Sequence, residues 1–310
     1  MNAPYFADVA DGPDGEAIWL TTKDNVRLRC VLWPLAEAKG TVFILPGRTE
    51  YTEKYGPIAA DLAAMGYAAL AIDWRGQGLA DRIHDDPGAG HVDEFSDYQD
   101  DLAVVLKEAE ARGLPRPWFM LAHSMGGCIG LRALMTDNPF AAAAFSAPMW
   151  GIQMSNALRP FATGLSALSR RVGLSHLYPP GQAGESVFKR GTFEDNTLTT
   201  DPATWDWMRT QVASHPELSL GGPSLHWLDE ALKETRSLSL MPSPRTPVVT
   251  FLGTDEKIVD PSRIETRMAH WPEGELVVLD GLRHEVLMEP PEVRGPSMRK
   301  IVDLFDQHRA

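Results

Sequence analysis

Two kinds of apolar patterning divide the chain. Near the N-terminus, "AIWLTTK" and "NVRLRCVLWP" alternate apolar and polar residues around Asp24-Asn25. A period of two on either side of a turn-forming pair predicts an antiparallel hairpin. Beyond it the character changes. "TVFIL" (41–45), "YAALAI" (67–72), "WFMLA" (118–122) and "AAAAFSA" (141–147) are short, continuous apolar runs. Such runs suit strands buried on both faces, as in a parallel sheet. Helical spacing separates them, most clearly at Leu102, Val105, Leu106 and Ala109 within 97–112. Strands alternating with helices predict an α/β fold with right-handed crossovers.

From about Met149 to Leu240 this rhythm breaks. The stretch carries Trp150, Met154, Phe161, Trp205, Trp207 and Trp227, with many prolines and glycines and no clear buried strand. The alternation resumes at "TPVVTFLG" (246–253) and "ELVVLDG" (275–281). The simplest organisation is a core over 1–148 and 241–310, interrupted by a mainly helical insertion over 149–240. A second independent domain fits less well, because the core pattern needs both flanks to complete one sheet.

The segment "LAHSMGGCIG" (121–130) puts Ser124 between a buried strand and a helix, in the form small-x-Ser-x-Gly. A tight strand–helix turn exposes a hydroxyl and aims backbone N–H groups and the helix dipole at it. The bland alternative is a glycine-rich turn that lets strand and helix pack closely. A nucleophilic serine needs a base, and the base needs an orienting carboxylate. In a fold with this motif the chain order is serine, acid, histidine. His270, His284 and His308 are the histidines late enough in the chain. His284 follows the final strand-like run, whereas His270 lies in a helix-like stretch and His308 in an amphipathic tail, both expected at the surface.

For the acid, "FLGTDEKIVD" offers Asp255, Glu256 and Asp260. Asp255 is favoured because it lies two residues beyond Gly253, at a strand's carboxyl end, where ligand sites of open α/β sheets gather. Side-chain alternation would turn Glu256 away from it, and Asp260 before Pro261 reads as a helix N-cap. An oxyanion hole would combine the N–H of Met125 with that of Arg48 in "LPGRTEYTEKY", where Gly47 permits close approach.

Composition narrows the function classes. The net charge of −13 over 310 residues disfavours nucleic acid and anionic lipid surfaces as partners. No basic, apolar leader and no run long enough to cross a bilayer is present. The two cysteines, Cys30 and Cys128, lie in apolar contexts and read as buried free thiols, which fits a cytoplasmic setting.

The segments "LPGRTEYTEKY", "DWRGQGLADR", "GHVDEFSDYQDDL", "LAHSMGG", "SAPMWG" and "GLRHEVLMEP" together resemble the bacterial lysophospholipase and monoacylglycerol lipase group of α/β-hydrolases. The likeness runs from about residue 15 to the C-terminus and is weakest in the insertion. It implies the α/β-hydrolase fold, with a mostly parallel eight-stranded sheet and a helical cap over an acyl-binding pocket. It implies Ser124 as nucleophile, Asp255 as acid and His284 as base. Glu50 is similar in position to a headgroup-contacting glutamate of monoacylglycerol lipases. Pro46 replaces a histidine common there, which favours the lysophospholipase branch. Arg75 in "DWRGQG" reads as a structural hub, and Trp227 either as packing within the cap or as a pocket residue.

The expectation is a serine ester hydrolase of single-chain lipid esters that needs no cofactor and no metal. Its expected partner is a small lipid-ester substrate, with transient contact at a membrane surface. An aminopeptidase or carbon–carbon hydrolase on the same fold remains the alternative. Glu185, Glu194 and Asp195 could serve a substrate's free amine. A non-enzymatic receptor on a retained pocket is disfavoured by the serine, acid and histidine in chain order.

Overall fold

The computed structural model describes residues 2–136, 138–154, 169 and 173–309. After a short helix α1 (Ala7–Ala10), the predicted hairpin forms as β1 (Glu16–Thr21) and β2 (Arg27–Trp33). The continuous apolar runs become β3 (Thr41–Leu45), β4 (Ala68–Asp73), β5 (Trp118–His123) and β6 (Phe140–Ser146). Between them lie α2 (Gly56–Ala64), α3 (Asp97–Ala111) and α4 (Met125–Leu134). The later runs form β7 (Val248–Gly253) and β8 (Gly274–Leu279). These eight strands make one sheet in the order β1-β2-β4-β3-β5-β6-β7-β8. Only β2 runs antiparallel to its neighbours, and every pair from β4 onward is parallel. This is the α/β-hydrolase fold.

The continuous apolar strands are explained by their two buried faces. Phe43 and Leu45 join one apolar cluster with Cys30, Ile72, Met120 and Ile129. Val42 and Ile44 join the other with Val31, Ala71, Leu121 and Phe305. Both cysteines are buried and unbridged.

Between β6 and β7 the chain leaves the sheet. Its described part carries α5 (Val187–Arg190), α6 (Pro202–Ser214) and α7 (Leu225–Ser239). Each has a side-chain N-cap: Ser186 accepts from the Phe188 N–H, Asp201 from Thr204, and Ser224 from Trp227. Such caps offset part of the unsatisfied first turn. Phe161, with the rest of 155–168 and 170–172, lies outside the described residues. Backbone bonds fasten this insertion to the core at several places, among them Gln153 N–H to the Ile258 carbonyl at 3.0 Å. Gly90 donates to Gly222 at 3.0 Å and accepts from Ser224 at 2.8 Å, while the Glu285 N–H donates to Leu198 at 2.8 Å. After β7 come α8 (Pro261–Met268), capped by Asp260 as expected, and after β8 the long α9 (Pro291–Gln307). The turns after parallel strands β3, β5, β7 and β8 therefore meet at one edge of the sheet, beneath the insertion.

Candidate active site

Ser124 sits between β5 and α4 with φ 49° and ψ −117°. Left-handed backbone at a residue with a Cβ costs on the order of 1–3 kcal/mol and persists only where the surroundings enforce it. The enforcing bonds are visible. The Ser124 N–H donates to Ser146, and its carbonyl accepts from Gly127 at 2.9 Å and Met149 at 2.8 Å. A Cβ at Gly126 would collide with the Leu45 and Pro46 carbonyls, and one at Gly127 with Pro148. The glycines thus bring α4 against the end of β3, so the serine and the loop after β3 share one site. Close packing and exposure of the hydroxyl are two results of one turn.

His284 is buried beyond β8, and its ring Nδ1 lies 2.7 Å from Glu256 Oε2. The expectation for the acid is corrected here. Asp255 is exposed, and the carboxylate that reaches His284 is that of Glu256. Strand alternation does not carry past Gly253, because Thr254 and Asp255 form a turn in which the Glu256 N–H bonds back toward Gly253 O. The Asp255 N–H is tied to Leu282 O at 3.0 Å while its side chain faces outward. A Cβ at Gly253 would strike the Leu282 carbonyl, so this glycine admits the histidine loop. The turn signal Gly-Thr-Asp is legible in the sequence, since aspartate favours turns, and such a turn ends the strand's alternation before Glu256.

Burial alone would raise the Glu256 carboxyl. The charge and hydrogen bond of His284, with the N–H groups of Ile258 (2.6 Å) and Val259 (3.0 Å), draw it below its ordinary value instead. Glu256 is therefore ionised, and it accepts the Nδ1 proton. The other ring nitrogen, Nε2, is left to exchange protons.

The loop after β3 contains Thr49 in left-handed backbone, φ 68°. Among the described residues, neither the Arg48 N–H nor the Met125 N–H donates to a protein acceptor. Glu50 lies on the wall of the same cavity as Ser124. It is buried, and its carboxylate accepts from the Gly47 N–H, from Tyr55 Oη at 2.6 Å and from Lys54 Nζ. The same ammonium bonds Glu285 Oε1 at 2.6 Å.

His123, next to the serine, completes this cluster. Its Nδ1 faces the Ser146 carbonyl at 3.0 Å and so carries a proton. Its Nε2 faces Glu285 at 3.4 Å. Burial would keep the ring neutral, but Glu285 and Glu50 raise its affinity for a second proton. Burial would likewise raise the Glu285 carboxyl, and Lys54 and then His123 draw it well below its ordinary value. The potential ligand atoms of Glu50, His123 and Glu285 lie within 4.8 Å of one another, a spacing a metal could span. Lys54, bonded to both carboxylates, already supplies positive charge there. Lys54, His123 and Glu285 were not singled out from sequence, because the contacts that unite them link residues as much as 231 positions apart.

Ser124, His284, Arg48 and Trp227 all line one cavity of about 710 Å³ between core and insertion. Its wall is largely apolar, with Met149, Ile152, Phe188, Met208, Leu220 and Ile258. The buried Trp227 donates from Nε1 to Tyr98 Oη at 3.1 Å, which fixes the ring at the wall. Glu185 also reaches the cavity. Arg75 is the hub expected, bonded to Asp101 and Asp24.

Residues 36–291 match the hydrolase family described as serine aminopeptidase, S33. The chain belongs to that family. Among curated relatives, lysophospholipase L2 of Escherichia coli is 31% identical over 304 residues, covering 94% of this chain and 87% of its own. A probable lysophospholipase L2 of Haemophilus influenzae is 29% identical over 287 residues, covering 91% and 90%. Among solved structures, a soluble variant of the Saccharomyces cerevisiae monoglyceride lipase, bound to a substrate analogue, superposes with a TM-score of 0.74 at 22% identity and covers 99% of both chains. That last likeness speaks for the fold. As a member of the family, the protein is a serine hydrolase of the carboxylic ester hydrolase type. Among the described residues, no helix is long and apolar enough to cross a membrane.

Proposed function

We propose that the protein cleaves single-chain lipid esters, lysophospholipids or monoacylglycerols, through an acyl-enzyme on Ser124. His284 Nε2 takes the serine proton as the hydroxyl oxygen attacks the acyl carbonyl. Glu256 holds the imidazole in the tautomer this requires and stabilises the imidazolium that forms. The developing oxyanion is received by the N–H groups of Arg48 and Met125. The imidazolium then protonates the departing alcohol, and water repeats the path in reverse to free the fatty acid. The Ser124 conformation is enforced before substrate arrives, which favours the transition state because no reorganisation is then needed.

The observation that carries this reading is the apolar cavity of about 710 Å³ opening onto Ser124 and His284. Its volume lies in the range of sites that enclose one small organic molecule. Each methylene taken from water into it is worth about 0.8 kcal/mol, or roughly fourfold in specificity constant. The test is a series of monomeric esters of rising acyl length, each run beside Ser124→Ala. Specificity should climb until the cavity is full, and Ser124→Ala should lose about four to six powers of ten. Trp227→Ala should flatten the upper part of the curve. Constants that fall with every added methylene would defeat the lipid reading.

A second reading, an aminopeptidase, is favoured by the position of Glu185 on the cavity, where a carboxylate could receive a free α-amine. Aminoacyl arylamides in the same panel separate the two, because only a peptidase would require that amine.

A further inference from the structure

Most shielded arginines of this protein are paired with a carboxylate or donate to several acceptors, whereas Arg48, like Arg283 on Thr199, donates to a single carbonyl. Arg29 is paired with Glu53 and Asp73, Arg75 with Asp101 and Asp24, and Arg132 with Glu234. Arg82 and Arg267 have no carboxylate, but each donates to three acceptors, Arg82 to Gly76, Glu217 and Ser219, and Arg267 to Ser243, Leu238 and Met241. Arg48 donates to one, the Gly221 carbonyl, at 2.8 Å from Nη1. A guanidinium has five N–H donors in a planar fork. Among the described residues no carboxylate forms an ion pair with it. Its guanidinium carbon lies 5.6 Å from the centre of the Trp227 ring, a cation–π distance that leaves in-plane donors uncommitted.

Burial pulls the Arg48 pKa down to about 10, so the group keeps its charge at neutral pH. A shielded charge without a counter-ion is unfavourable. Arg48 is nonetheless part of the wall that holds Ser124 and His284. Its own backbone N–H is free to face the acyl carbonyl. The phosphate of a glycerophosphate ester lies within one side-chain length of that carbonyl. Arginine matches a phosphate with two parallel hydrogen bonds, which a neutral glycerol cannot use.

We propose that the Arg48 guanidinium binds the headgroup phosphodiester of a lysophospholipid, so that the residue after Gly47 selects for an anionic headgroup while its backbone serves the oxyanion. The inference rests on the lipid-ester reading above and assigns the headgroup class within it. A brace is the competing role, since Arg48 also ties the core loop to the insertion through Gly221.

The test compares wild type, Arg48→Gln and Arg48→Lys on a lysophospholipid and a monoacylglycerol of the same acyl length, both below their micelle concentrations. Every variant keeps the backbone N–H. Arg48→Gln should lower the specificity constant on the phosphodiester roughly 10- to 100-fold more than on the neutral ester. Arg48→Lys should recover part of the difference as a point charge without the fork. Equal losses on both substrates, or no loss on either, would overturn the proposal in favour of a brace or of no role. A second measurement does not need turnover. Glycerol 3-phosphate should raise the melting temperature of Ser124→Ala, and this rise should vanish in the Ser124→Ala, Arg48→Gln double variant. A rise that persists unchanged, or no rise at all, counts against Arg48. If no acyl ester is cleaved by wild type, the lipid-ester reading fails, and the melting shift still decides whether Arg48 binds phosphate.

Discussion

His284 is oriented by Glu256, with 2.7 Å between ring Nδ1 and carboxylate Oε2, while the adjacent Asp255 lies exposed on the outside of the same turn. Two acidic neighbours in sequence thus have opposite environments. Glu256→Gln should keep the size of the side chain but remove the charge that stabilises the imidazolium. Turnover should fall about 100- to 10,000-fold on any ester. Asp255→Asn should change it less than about threefold, because an exposed carboxylate in a turn contributes little. Steady-state kinetics on both variants check this, and a reversal of the two results would restore Asp255 as the acid.

The strand–helix turn makes a prediction about stability. Gly126→Ala places a methyl group against the Leu45 and Pro46 carbonyls. Backbone cannot move aside cheaply, so a loss of roughly 1–3 kcal/mol or more is expected. Gly295, inside α9, has only the end of the Arg299 side chain at 3.5 Å from such a methyl. Gly295→Ala should therefore stabilise by about 0.5–1 kcal/mol. Chemical denaturation of the two variants should move in opposite directions, and equal shifts would show that the clash at Gly126 is relieved.

Where the insertion meets the core, His91 lies between His84 and His226, with ring centroids 5.2 and 5.0 Å away. Burial, then His226 and His84, lower its pKa from 6.5 to about 4, against a smaller opposing pull from Asp93. Between those two values the unfolded chain binds the proton and the folded chain does not. Stability should consequently fall as pH is lowered from about 6.5 toward 4, by at most about 3 kcal/mol from this residue. His91→Gln should flatten that part of the stability profile. A profile unchanged by the substitution would mean that His91 titrates normally.

The buried cluster behind the serine responds differently. Lys54 bonds both Glu50 and Glu285, and all three are buried. Lys54→Met leaves two shielded carboxylates with His123 as their remaining cationic neighbour. Removing one partner of a buried ion pair costs about 3–5 kcal/mol. Since Glu50 also holds the Gly47 N–H, activity on a neutral ester should fall along with stability. Melting curves and ester kinetics measured together test this. Full activity with unchanged melting would remove the cluster from any supporting role.

Much of this protein was readable along the chain. Eight strands were legible because continuous apolar runs and apolar–polar alternation are both local signals, although the alternating β2 proves buried on both faces, with Arg29 paired to Glu53 and Asp73. The position of Ser124 at a strand–helix turn was legible because glycines mark where a Cβ cannot fit. So was the Asp260 cap, which depends on neighbours two residues away. Tertiary structure decided the rest. Glu256 rather than Asp255 meets His284 because the chain turns after Gly253, and alternation has no meaning once a strand ends. Glu50 became part of a buried ion cluster because Lys54 and Glu285, far apart in sequence, fold onto it. Arg48 became a shielded cation with spare donors because, among the described residues, no carboxylate of the insertion that closes over it forms an ion pair with it. Apolar periodicity is written residue by residue, whereas charge pairing depends on distances in space, and those exist only once the chain is folded.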